Sequence, residues 1–190
     1  MKWFDAKARA NESSKLADIK LYSDIGGYGI TAGNFIKEVQ SFGDVDTIKV
    51  SINSTGGSVV DAIAITNFLI YHKAKIIIQI DGIAASAASL IAMSGDEIIM
   101  PENAMMMVHY PWTDLQGNAE EIRATAEALY RMGEAMAGTY ARKTGQTKEQ
   151  IHALLRDEKW LSAKECLELG FCTKIVEPIT AKSAAHIENL

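Results

Sequence analysis

Ser86 stands in the phrase Gly82-Ile-Ala-Ala-Ser-Ala-Ala-Ser-Leu90, directly after an apolar strand and the turn Asp81-Gly82. That setting predicts the first turn of a helix, where unpaired N–H groups and the positive end of the helix dipole favour negative charge. A serine on a sharp strand-to-helix bend presents its hydroxyl as a nucleophile. This is the logic of the Gly-x-Ser-x-Gly elbow, although that motif itself is absent. The neighbouring alanines let backbone approach closely. The competing reading is a small-residue helix that packs tightly and does no chemistry.

A nucleophilic serine needs oxyanion donors and a base. Ile52-Asn-Ser-Thr-Gly-Gly-Ser58 offers the first, because paired glycines after a strand let an N–H face a cleft without obstruction. The amides of Gly57 and Ala87 are the candidate oxyanion pair. The same segment also reads as a plain turn with Ser58 as helix N-cap. It is not a phosphate loop, since no Lys follows the glycines. Among the four histidines, His72, His109, His152 and His186, only His109 closes an apolar strand, in Met105-Met-Met-Val-His109-Tyr-Pro111. A rigid strand end can aim an imidazole into a cleft; a structural histidine is the alternative. Arg156-Asp-Glu-Lys-Trp160 holds two carboxylates, Asp157 and Glu158, either of which can orient the histidine or simply form a solvated turn.

Positioning these residues takes an α/β body. Alternating or β-branched runs predict strands at 19–23, 47–53, 75–80, 97–100 and 104–109, and helical spacing predicts helices at 31–40, 59–71 and 84–93. Repeated strand–helix alternation implies parallel βαβ units. Residues 118–143 are charged and helical, ending at Thr144-Gly145, and form a helix able to leave the body and meet another subunit. Two further helices follow at 147–155 and 162–169, the second opened by a Ser162/Glu165 capping box. Residues 1–18 read as a mobile N-terminal arm, 19–176 as one domain and 177–190 as a tail.

The 190 residues suit one domain with a real core. A net charge of −5 argues against binding nucleic acid through its phosphates. No apolar run reaches membrane-spanning length and no signal peptide is evident, so the reading is a cytoplasmic protein. Cys166 and Cys172 match no zinc spacing and read as reduced, buried thiols. No metal and no organic cofactor is expected.

Taken in order, Ile52–Val59, Gly82–Ser86, Met107–Pro111 and Trp160–Ala163 with Leu169-Gly170 resemble the Clp-type serine peptidases. The likeness covers about residues 19–176, and the 29-residue step from Gly57 to Ser86 is similar to the family's spacing. The resemblance implies a crotonase-like α/β fold of repeated ββα units, with a protruding long helix, the handle, at about 111–145. It implies heptamers, or double-ring tetradecamers, enclosing a chamber where polypeptide substrates are cut. It assigns Ser86 as nucleophile, His109 as base, and the Gly57 and Ala87 amides as oxyanion donors. Glu158 stands where the family usually has Asp, with Asp157 beside it. Ala87 stands where housekeeping members have Met, and the N-terminal region is unlike their axial loops, which leaves an ATPase partner open. With these departures, Ile25–Ala32 is more similar to the Clp-like head maturation peptidases of phages and prophages. Two rival readings are a non-catalytic, degenerate ring protein and an acyl-CoA-processing enzyme of the same fold.

Overall fold

The computed structural model describes residues 6–11 and 14–177. Strands β1 (Ala6–Asn11) and β2 (Ser14–Leu21) form an antiparallel pair. They are followed by α1 (Ala32–Ser41), β3 (Thr47–Ser54), α2 (Val59–Ile70), β4 (Lys75–Ala85), α3 (Ala87–Ala92) and β5 (Glu97–Pro101). Then come β6 (Met105–Val108), α4 (Ala119–Thr144), α5 (Lys148–Arg156), β7 (Lys159–Ser162), α6 (Ala163–Leu169) and β8 (Lys174–Val176). The main sheet has the order β1-β2-β3-β4-β5-β8 and is parallel from β2 onward. This is the α/β fold expected from the strand–helix alternation.

The core lies between this sheet and its helices. Ile48, Val50 and Ile52 of β3 and Ile76, Ile78 and Ile80 of β4 are buried, and Ile65 and Leu69 of α2 pack against them. Every residue of α3 is buried. Side chains alternating with a period of two put these isoleucines on one face of the sheet. Cys166 and Cys172 are buried, free thiols, as expected, and burial pushes both up, Cys172 to about 11.

Three differences from the sequence reading have physical causes. Residues 6–11 and 14–18, expected as a mobile arm, are strand, because β2 pairs with β3 from Leu16↔Thr47 onward. The strand expected to stop at Asp81-Gly82 runs on to Ala85. It does so by changing partner: residues 77–79 pair with β5 and residues 83–85 pair with β6. The helix expected from residue 84 therefore begins only at Ala87. The third difference is β7, unexpected at Trp160, which pairs antiparallel with β6.

The long helix at 118–143 is present as α4. Asn118 and Glu121 form a reciprocal capping box, and Gly145 closes the helix in the left-handed conformation at φ 74°. At 1.5 Å per residue its 26 residues extend about 39 Å. Its buried residues, Gly133, Met136, Ala137 and Tyr140, all lie in the second half; the first half projects from the body. Among the described residues, no helix is long and apolar enough to cross a membrane. Residues 178–190, most of the expected tail, lie outside those described.

Candidate active site

Ser86 is the N-cap of α3, one residue before the first turn in which it was expected. Its backbone is at φ 53°, ψ −125°, a conformation that few non-glycine residues adopt. A strained strand-to-helix bend of this kind has the geometry of a nucleophile elbow, here without the glycines of that motif. The Ser86 N–H donates to the Met107 carbonyl at 2.8 Å, tying the bend to β6. β6 ends one residue before His109, which is buried. The two side chains meet: Ser86 Oγ lies 2.6 Å from His109 Nε2.

The glycine pair lies against the same bend. Gly56 and Gly57 have φ 102° and 136°, values that strain any residue with a side chain. A β-carbon on Gly56 would lie 2.6 Å from the Ala85 oxygen, 2.8 Å from Ser86 Cβ and 2.9 Å from the Ala87 nitrogen. Gly56 is thus required for loop and bend to touch; the sequence reading had singled out only Gly57. The loop is pinned from outside as well. The Ile25 N–H donates to the Gly56 carbonyl at 2.7 Å, and the Ser58 N–H donates to the Ile25 carbonyl at 2.8 Å. Those bonds flank Gly57 and leave its own amide free. The Gly57 and Ala87 N–H groups have no acceptor among the described residues, and both glycines border the cleft that holds Ser86 and His109. The cleft has a volume of about 490 Å³ and is closed on one side by Pro111 and Trp112.

The two carboxylates stand differently. Asp157 is the C-cap of α5 and is exposed. Glu158 follows at φ 47°, also exposed, in the turn that leads into β7. The antiparallel register pairs Val108 with Lys159, so one step further brings Glu158 opposite His109. Burial lowers the His109 pKa from its ordinary value, and the Glu158 charge opposes that shift. Among the described residues no carboxylate hydrogen-bonds the His109 ring. Glu158 therefore reaches the imidazole through its field.

Two supports were not legible beforehand. Asp24 accepts from Thr55 Oγ1 at 2.8 Å, and Ser54 Oγ donates to the Ser23 carbonyl at 2.7 Å. Both tie the glycine loop to the segment after β2. The phrase Ile25–Ala32 stood out in the sequence, but not what its first residues would touch. Among the described residues no cluster of His, Cys, Asp or Glu is arranged to hold a metal ion.

The model of the Clp protease family matches residues 14–178. The chain belongs to that family. Two curated relatives, ATP-dependent Clp protease proteolytic subunits of Streptococcus pneumoniae strains Hungary19A-6 and CGSP14, are each 32% identical over 133 residues, 68% of this chain and 68% of theirs. An asparagine-to-aspartate mutant of ClpP1 from Listeria monocytogenes superposes with a TM-score of 0.76 at 26% identity, over 85% of this chain and 91% of that one. The Clp protease match begins at residue 14, where β2 begins, five residues before the expected domain boundary.

Proposed function

We propose that this Clp protease family member is a serine endopeptidase with Ser86 as nucleophile and His109 as general base. The 2.6 Å contact between Ser86 Oγ and His109 Nε2, beside two free amides, carries the reading. As Ser86 Oγ bonds to a substrate carbonyl carbon, His109 Nε2 takes the hydroxyl proton. The carbonyl oxygen becomes an oxyanion facing the Gly57 and Ala87 amides, each worth about 3 kcal/mol of barrier. Protonated His109 then gives its proton to the leaving amine as the C–N bond breaks. A water, deprotonated by His109, attacks the acyl-serine and regenerates the Ser86 hydroxyl. Glu158, rather than Asp157, stabilises the imidazolium.

The substrates are polypeptides, cut inside a chamber formed by a homo-oligomeric ring, a heptamer or a double-ring tetradecamer. The projecting first half of α4 supports that assembly, since a half-exposed helix with Ile122 and Tyr130 on its surface suits packing against a second copy. The departures at Ala87 and Glu158, with the phrase Ile25–Ala32, favour capsid or scaffold protein in an assembling phage head as the substrate. Ser86→Ala abolishes fluorophosphonate labelling and cleavage of an unfolded test protein, while rings persist in particle images. Undiminished cleavage by that variant would sink the assignment.

A further inference from the structure

Backbone strain of the kind at Ser86 persists only where the surroundings over-determine it. On one side the Ser86 N–H is held by Met107. On the other, the Ser86 carbonyl accepts from the Ser89 N–H at 3.0 Å and from Ser89 Oγ at 2.6 Å. Ser89 Oγ also lies 2.7 Å from Tyr140 Oη, on α4. A carbonyl only accepts, so the single Ser89 hydroxyl proton goes to Ser86. Tyr140 must then donate to Ser89. The direction of the chain is fixed: Tyr140 O–H to Ser89 O–H to Ser86 C=O. Both Ser89 and Tyr140 are fully buried, and burial holds the Tyr140 phenol well above its ordinary pKa, so it remains a donor.

The peptide unit joining Ser86 to Ala87 is planar and trans, so its C=O and N–H point in opposite directions. Holding the oxygen on the buried side aims the Ala87 N–H into the cleft. Hydrogen bonds in series also polarise one another, which makes that N–H a stronger donor. We propose that Ser89 and Tyr140 are positioning residues, with Tyr140 acting through Ser89 to set the aim of the Ala87 amide. The proposal rests on the acyl-transfer reading above. It joins the buried root of the long helix to the bend that carries the nucleophile.

The test uses the full chain in its assembled form, with active sites counted by fluorophosphonate titration. Tyr140→Phe removes one oxygen and keeps the ring beside Phe171, 5.7 Å away between centroids. Per-site kcat is expected to fall about tenfold with KM within about twofold, and affinity for a peptide boronate, which mimics the tetrahedral adduct, to fall in parallel with kcat/KM. Ser89→Ala is expected to lose at least as much, Ser89→Thr to recover part of it, and the double variant to be no worse than Ser89→Ala, because Tyr140 acts only through Ser89. Unchanged per-site kcat in Tyr140→Phe and Ser89→Ala, or losses that simply multiply, would overturn the proposal. Should Tyr140→Phe fail to fold, Ser89→Ala decides on the same kcat criterion. If Ser86→Ala cleaves as well as the parent, the acyl-transfer reading falls and takes this one with it. Ser86-dependent cleavage indifferent to Ser89 and Tyr140 removes this proposal alone.

Discussion

Two residues other than glycine have positive φ among the described residues, Ser86 at 53° and Glu158 at 47°, and they lie on opposite sides of His109. Ser86 is bonded through its N–H, its carbonyl and its hydroxyl, and the helix that follows it is wholly buried. Glu158 is exposed, and its N–H makes a long 3.4 Å contact with the Leu155 carbonyl. Strain at the first is locked by its neighbours; strain at the second is imposed by the need to turn from α5 into β7. The Ser86 side of the proposed site is therefore built to a fixed geometry, while Glu158 would contribute charge from a position solvent can screen.

This contrast sets an order of expected effects. His109→Ala is expected to lower kcat by about three orders of magnitude with the melting temperature little changed, measured on a peptide ester and by calorimetry. Retained turnover would mean that the 2.6 Å contact has no part in proton transfer. Gly56→Ala comes next, because its β-carbon collides with backbone and must displace the bend or the loop. A loss of about 100-fold in kcat is expected, the scale of one oxyanion donor. A fully active Gly56→Ala protein would show that the bend yields easily.

On the other side of His109 the effects shrink. Glu158→Gln is expected to lower kcat about tenfold, and Asp157→Asn less than about twofold, since the strand register brings Glu158 opposite His109 and its charge raises the imidazole pKa. Equal losses would erase the distinction between the two carboxylates. The smallest effect is on pH dependence. The base must be neutral, and burial lowers the His109 pKa. The acid limb of kcat/KM should therefore fall with a midpoint below the ordinary imidazole value of about 6.5. Removing the Glu158 charge takes away the opposing influence, so Glu158→Gln should move the limb further toward acid. A midpoint above the ordinary value would contradict the dominance of burial.

What the sequence disclosed follows the same division. Ser86, His109 and the glycine pair, which the fold brings together, stood out because each follows a short apolar or β-branched run, a strong local strand signal. The long helix was legible through its charged helical pattern and its C-terminal cap at Gly145. The turn of β4 from one partner to another was hidden, because Asp81-Gly82 has the composition of a break and only pairing with β6 reveals continuity. β7 was hidden because four residues, two of them exposed, are too few to establish a period. The hairpin of β1 and β2 was missed for want of large apolar residues in Ala17-Asp18 and the charged stretch before it. The link from Tyr140 to Ser89 spans 51 residues of chain, and no local pattern foretells a contact at that separation.

The change of partner within β4 has a thermodynamic consequence. β6 and β7 pair with one another, and their strand pairing to the rest of the sheet runs through three residue pairs, Ile83↔Met105, Ala84↔Met106 and Ala85↔Met107. The ribbon that leads to His109 and Glu158 shares the core through Met106, Val108 and Leu161, but its strand pairing to the five parallel strands is confined to those three pairs. Opening such a ribbon requires less free energy than global unfolding. Loss of alignment between Ser86 and His109 is expected to precede loss of the fold, seen as a lower thermal midpoint for fluorophosphonate labelling than for circular dichroism.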